Sequence, residues 1–100
     1  MSIVKDILRE EKNRLVILKE QVEKQISSLP KGSLSRKKRS SGWFYYLAYR
    51  ESEKIIFKYI GKENSPQVKA FVDAINNRKK LEKRLREIKK NLKEILQRFR

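Results

Sequence analysis

The chain has 100 residues, of which 38% are hydrophobic and 39% charged, and its 27 Lys and Arg against 12 Asp and Glu give a net charge of +15. This length allows one domain with a small core, and the absence of Cys and His excludes disulfides, thiolate metal sites and histidine-based catalysis. We therefore predict no metal site, no cofactor and no enzymatic activity.

No apolar run approaches the ~20 residues that span a bilayer, and the N-terminus lacks the apolar segment of a signal peptide. We therefore expect a cytoplasmic protein with no membrane partner. The high content of Lys, Glu and Ile is compatible with an archaeal or thermophilic source.

Residues 3–28 are predicted to form the first helix, with Ser2 as its N-cap. Apolar residues recur along it at a heptad spacing, at Val4, Leu8, Leu15, Leu18, Val22 and Leu29. Pro30 and Gly32 are typical of a helix end and a turn. Residues 1–30 carry six basic and five acidic side chains, so this part of the chain is nearly neutral.

The middle of the chain, residues 33–61, is predicted to form a three-stranded antiparallel β-meander. Gly42 separates a basic stretch at 33–39 from an aromatic strand at 43–50, and a polar turn leads to a β-branched strand at 55–60. Large side chains occupy both faces of the two apolar strands. The sequence therefore leaves open both the register and the identity of the exposed rings.

A longer helix is predicted over 65–98, with Ser65 as N-cap and Pro66 at its first position. Its apolar stripe alternates spacings of three and four, at Phe71, Ala74, Leu81, Leu85, Ile88, Leu92, Ile95 and Phe99, and Arg78 lies in the same stripe. The two stripes predict that the helices pair as an antiparallel coiled coil. The predicted fold is thus a single α+β domain over 1–100.

A family resemblance is carried by the segment LPKGSLSRKKRSSGWFYYLAYRESEKIIFKYIGK and the charged helix after it, together roughly 29–95. It resembles small uncharacterised prokaryotic proteins with GS, YYLxYRE and YIGK motifs, matched here at 32–34, 45–51 and 59–62. It is also similar to N-terminal segments of some transposases and tyrosine integrases. Many such relatives place a cysteine-bearing insert where this chain has 36–41, so no metal site is carried over. Because no established biochemical function comes with this family, the resemblance implies a fold rather than an activity.

Five basic residues and no acid lie between Lys31 and Ser41, directly before the rings at 43–46. Clustered cations beside aromatic residues are typical of surfaces that bind nucleic acid. The predicted interface comprises Arg36, Lys37, Lys38, Arg39, Trp43, Arg50 and Lys58. In the alternative interpretation, the cations form a solvated loop and each ring belongs to the core.

Residues 78–100 add eleven basic and three acidic side chains. These cations either follow a phosphate backbone or pair with Glu82, Glu87 and Glu94 along the helix, and the sequence leaves both interpretations open.

The leading hypothesis is a nucleic-acid-binding protein of a mobile element, virus or plasmid that binds double-stranded DNA, in preference to RNA, through the basic strand and sheet face. With about eight phosphate contacts, the log–log dependence of affinity on salt would have a slope of roughly −7. The main alternative is a coiled-coil adaptor or oligomerisation module without direct nucleic-acid binding. A homodimer through the helix seams is compatible with either hypothesis. A third possibility is binding of single-stranded RNA through Trp43 or the tyrosines.

Overall fold

The computed structural model describes residues 2–99, in the order α1 (Ile3–Ser27), β1 (Ser33–Arg39), β2 (Gly42–Glu51), β3 (Lys54–Lys62) and α2 (Pro66–Gln97). The predicted α+β architecture is confirmed, and each predicted helix and the sheet end within one residue of the observed bounds. By its internal contacts the chain divides into two compact units, one built from 1–28 and 80–100 and the other from 29–79. The organisation as a single domain stays a prediction.

In the first unit, α1 and α2 pack along an apolar seam. The buried centre of this seam is Leu15, Val22 and Ile88, each at most 4% exposed. Half-buried aliphatic side chains from both helices pack against that centre: Leu18, Ile26, Leu81, Leu85, Leu92 and Ile95. Spacings of three and four keep these residues on one side of each helix, which confirms the central part of both predicted stripes.

The two ends of the predicted α1 stripe are corrected by the structure. Val4 is 64% exposed, and Leu29 lies beyond the last helical residue, Ser27. Ile26 packs against the seam near that end of the helix. The heptad extrapolation was wrong at Leu29 because the helix stops before the position that the spacing requires.

Arg78 interrupts the apolar stripe of α2, and its contact explains how the chain tolerates a cation there. Its guanidinium Nη1 donates a hydrogen bond of 2.7 Å to the carbonyl oxygen of Leu29, just after α1 ends. Arg78 is therefore paired with the segment that follows α1. The two helices pair in the antiparallel orientation that was predicted.

The two predicted N-caps differ. The backbone N–H of Val68 donates to Oγ of Ser65 at 3.3 Å, so Ser65 caps α2 with its side chain. Ser2 occupies the N-cap of α1, but its side chain makes no capping hydrogen bond.

The second unit contains a three-stranded antiparallel sheet in the order β1-β2-β3. β1 pairs with β2 through Arg36↔Tyr45 and Leu34↔Leu47, and β2 pairs with β3 through Tyr46↔Tyr59, with a bulge between Tyr45 and Tyr46. The outer strands are both rich in cations: Arg36, Lys37, Lys38 and Arg39 on β1, and Lys54, Lys58 and Lys62 on β3. Charged edges of this kind discourage pairing with the edge of another sheet.

Gly32 and Gly42 precede β1 and begin β2 with φ values of +131° and +129°, which strongly favour glycine. The two positions differ in the space around them. A Cβ at Gly32 would lie 2.5 Å from the carbonyl oxygen of Ala48, whereas one at Gly42 would meet only the side chain of Lys62 at 3.3 Å. Gly32 is therefore constrained by both backbone conformation and packing.

Replacing Leu85 and Leu92 by Asp should break the helix pair, because two carboxylates would be placed in an apolar seam. We expect the double variant L85D/L92D to lose at least about 3 kcal/mol of unfolding free energy, measured by chemical denaturation followed by circular dichroism. The control N91D/Q97D changes charge by the same amount at exposed positions of α2. Equal unfolding curves for the two variants would contradict the seam.

Gly32→Ala should destabilise the fold by about 2 kcal/mol or more, because backbone strain adds to a clash with the carbonyl of Ala48. Gly42→Ala carries the same strain against a flexible side chain and should cost about 1 kcal/mol. Thermal and denaturant unfolding measure the loss of stability in each variant. A larger loss for Gly42→Ala than for Gly32→Ala would contradict the conclusion that Gly32 is the more constrained position.

Candidate nucleic-acid interface

The pairing register divides the side chains of the sheet between two faces, because neighbouring residues in a strand point to opposite sides. The first set, here called the helix-facing side, contains Leu34, Arg36, Lys38, Trp43, Tyr45, Leu47, Tyr49, Glu51, Lys54, Ile56 and Lys58. The second set, here called the open face, contains Ser33, Ser35, Lys37, Arg39, Phe44, Tyr46, Ala48, Arg50, Ile55, Phe57, Tyr59 and Lys62.

The first turns of α2 pack against part of the helix-facing side, near Gly61, while Arg36, Lys38 and Lys58 on the same side stay exposed. Leu47 and Val68 are buried. A Cβ at Gly61 would lie 2.8 Å from Oγ of Ser65 and 3.2 Å from a methyl group of Val68, so strand and helix approach closely at this glycine. The core of the second unit therefore lies on this side of the sheet.

The open face exposes large apolar side chains. Ile55, Phe57 and Tyr59 of β3 are 59%, 49% and 54% exposed, and Phe44 and Tyr46 beside them on β2 are half-buried. A contiguous apolar patch on a protein surface commonly marks a binding site. This face is therefore the best candidate for a binding surface in the second unit.

The rings on the open face form a cluster around Tyr59. The ring of Tyr46 meets it edge-on at a centroid distance of 5.5 Å, and that of Phe44 lies tilted at 6.2 Å. These are favourable geometries for aromatic pairs, so the rings support one another while Tyr59 stays accessible.

Lys37 lies over this cluster from the neighbouring strand β1. Its Nζ is 4.2 Å from the ring centroid of Phe57 and 5.2 Å from that of Tyr46, distances typical of cation–π contacts. A positive charge is thus held directly above the aromatic surface.

The charged side chains described on the open face are all basic. Four of its twelve described side chains are basic, Lys37, Arg39, Arg50 and Lys62, and none of the twelve is acidic. Lys62 pairs with Phe44 and Arg39 with Gly42 near one end of the face, while Arg50 pairs with Ile55 near the other. The cations therefore surround the rings, an arrangement that attracts polyanions.

The predicted interface residues are split between the two sides of the sheet. Lys37, Arg39 and Arg50 lie on the open face. Arg36, Lys38, Trp43 and Lys58 lie on the helix-facing side. Arg50 and Lys58, whose shared face depended on the register, are on opposite sides.

The helix-facing cations of β1 already have partners. Arg36 Nη2 donates to Oε1 of Glu63 at 3.0 Å, and the Arg36 guanidinium lies 3.9 Å from the ring centroid of Trp43. Nζ of Lys38 lies 5.9 Å from the same ring. The charge of Arg36 is therefore partly neutralised by an acidic side chain, whereas the described part of the open face contains no acidic side chain.

Nine of the twelve open-face side chains were not among the predicted interface residues, and the large ones are Phe44, Tyr46, Ile55, Phe57, Tyr59 and Lys62. The alternation of Phe44 with Tyr46, and of Ile55 with Phe57 and Tyr59, was visible in the sequence. Only the pairing Tyr46↔Tyr59, however, places them on one surface.

On the other side of the sheet, a groove of about 490 Å³ lies between Tyr45 and the start of α2, lined also by Ser65, Val68 and Val72. Within residues 2–99, no group of three or more His, Cys, Asp or Glu side chains is placed to hold a metal ion. Neither helix of this part of the chain is long and apolar enough to cross a membrane.

Comparison with protein families gives a match over residues 7–70 to the family described as Domain of unknown function (DUF6788). Comparison with curated proteins gives no match, and neither does comparison with solved structures. The expected relationship to an uncharacterised family is confirmed, whereas the similarity to transposases and integrases stays a prediction. Because the match covers more than half of its residues, the chain belongs to the DUF6788 family.

Proposed function

We propose that this protein binds nucleic acid through the open face of its sheet. The observation that carries the proposal is the composition of that face: accessible rings, four surrounding cations and no acidic side chain among its described residues. Phosphates provide the complementary charge, and bases provide flat apolar surfaces for the rings.

The charge of the whole chain favours the same partner. Residues 31–64 carry nine basic and three acidic side chains, and 78–100 carry eleven and three. Such an excess draws a polyanion toward the protein before any specific contact forms. The open face then supplies the contacts that the net charge alone lacks.

The proposed biological setting is a mobile element, virus or plasmid, with duplex DNA as the first ligand to consider. This setting rests on the predicted similarity of the tyrosine-rich, three-strand segment to the N-terminal parts of some transposases and tyrosine integrases. A three-stranded sheet also has a width compatible with the major groove, about 12 Å across.

Neutralising Lys37 and Arg39 should weaken nucleic-acid binding more than neutralising their neighbours. We expect K37Q/R39Q to lose at least about tenfold in affinity for a labelled oligonucleotide at low salt, since each lost phosphate contact reduces the electrostatic contribution. The matched control R36Q/K38Q removes the same charge from the same strand, but from the helix-facing side. Fluorescence anisotropy measures both affinities, and circular dichroism verifies the fold.

The salt dependence gives a second readout of that experiment. If the four open-face cations each contact one phosphate, the log–log slope should be about −3 to −4, and K37Q/R39Q should reduce it by about half. A greater loss of affinity in R36Q/K38Q than in K37Q/R39Q would indicate that the ligand binds on the helix-facing side. Absence of binding by the unaltered protein at low salt would refute the function.

A second candidate, self-association through the helices, is favoured by apolar side chains that the seam leaves uncovered. Ile3, Val4 and Ile7 of α1 are between 58% and 76% exposed, and Leu96 of α2 is 49% exposed. Exposed aliphatic residues at the end of a helix pair are a common basis for dimers.

Sedimentation equilibrium tests this second candidate. A dimer through these residues should dissociate in I3S/I7S, because the apolar contact area is removed from both copies. Ile17→Ser is the control, since Ile17 is equally exposed in the middle of α1. A protein that is monomeric at all concentrations would exclude the adaptor mode based on self-association.

A further inference from the structure

We infer that the open face accommodates single-stranded nucleic acid in preference to duplex, with bases stacked on Phe57 and Tyr59. This inference rests on the proposed function and specifies the ligand class of the same surface. It departs from the duplex expectation because the register shows which side chains occupy the centre of the face.

The centre of the open face is aromatic. Phe44 and Tyr46 of β2 lie beside Phe57 and Tyr59 of β3, and the cations lie around these rings. Reading a duplex in its major groove requires side chains that hydrogen-bond to base edges, such as Arg, Asn or Gln. The face contains no Asn or Gln among its twelve described side chains, and its two Arg residues, Arg39 and Arg50, lie near its ends. The polar groups near its centre are the two tyrosine hydroxyls, Ser35 and the ammonium of Lys37, which lies over the rings.

The exposure of the rings also favours a single strand over a duplex. Phe57 and Tyr59 each leave about half of the side chain accessible, and Tyr59 is held in place by edge-on contact with Tyr46. The flat faces of bases are hidden inside a duplex and available in a single strand, where stacking on aromatic side chains is tolerant of sequence. A preordered, half-exposed ring therefore fits an unpaired base.

The cations provide the backbone contacts that such a strand needs. Lys62 and Arg39 near one end of the face and Arg50 near the other are separated by six residues of β2, from Phe44 to Arg50, or about 20 Å at ~3.3 Å per residue. Sheet surfaces of this size stack about two or three bases in other single-strand-binding domains. Phosphates at the ends of such a segment would meet these cations.

Lys37 has a separate role in this arrangement. Its ammonium lies over Phe57 and Tyr46, on the surface that a base would occupy. Stacking on Phe57 therefore displaces the ammonium from the ring, and a phosphate of the same strand gives it a new partner. The cation–π contact is exchanged for an ion pair.

The test compares three labelled 12-nucleotide probes of one non-self-complementary sequence: single-stranded DNA, single-stranded RNA and the DNA duplex. Affinities are measured by fluorescence anisotropy at low and physiological salt. We expect both single strands, or one of them, to bind at least about tenfold more tightly than the duplex, since the rings engage only unpaired bases. The DNA and RNA arms distinguish the two sources of the strand.

Two variants of equal charge isolate the contribution of the rings. F57L/Y59L keeps apolar side chains but removes both rings, and should lose at least about tenfold in single-strand affinity with little change for the duplex. F57Y/Y59F restores both rings at these positions and should therefore bind single strands at least about tenfold more tightly than F57L/Y59L. Because these residues are half exposed, both variants should retain the fold, which circular dichroism verifies.

A fluorescent reporter separates the two faces. In the unaltered protein the lone tryptophan, Trp43, is on the helix-facing side, so its emission should change little on binding. In the variant W43F/Y59W the only tryptophan is on the open face, and stacking should quench it strongly.

The outcomes are distinguishable. Duplex binding as tight as single-strand binding, or single-strand binding unchanged in F57L/Y59L, overturns the inference and leaves the proposed function standing if K37Q/R39Q is impaired. No binding of any probe at low salt overturns both. Quenching of Trp43 without quenching in W43F/Y59W also contradicts the inference, because it places the ligand on the other side.

Discussion

The alternation of side chains along β2 is the constraint on which the second unit depends. Leu47 is directed toward the core with Val68, so Tyr46 and Ala48 are directed to the other side. A slip of one residue would exchange the two sets and bury the open-face rings. Pairing on both flanks of β2 fixes the choice, and the bulge between Tyr45 and Tyr46 lets Gly61 approach Ser65 while Tyr59 stays on the open face.

The helix pair has a different basis for its stability. Its seam is built from aliphatic residues at spacings of three and four, with Leu15, Val22 and Ile88 buried. Burial of each such side chain contributes about 1.5–3 kcal/mol, so a few well-packed positions can hold two otherwise charged helices together. The sheet of the second unit buries one side only. The structure thus has one unit stabilised along a seam and another in which one face of the sheet stays exposed.

The sequence was sufficient to predict the elements but not the interface. The α2 stripe from Leu81 to Ile95 is long and regular, so its helix and its apolar side followed from periodicity alone. The strands followed from their β-branched and aromatic content. The faces did not, because Trp43 and Phe44 are neighbours with similar chemistry and point to opposite sides. Because the sequence does not define the faces, it assigned Arg50 and Lys58, and also Arg36 and Lys37, to one interface. The strand register places the members of each pair on opposite sides of the sheet.

The cationic outer strands have a consequence for several copies on one ligand. In free solution, β1 with its four cations and β3 with its three repel the same strands of another molecule. A polyanion bound to these strands would neutralise part of that charge, so the repulsion between outer strands of two molecules would be weaker in a complex than in free solution.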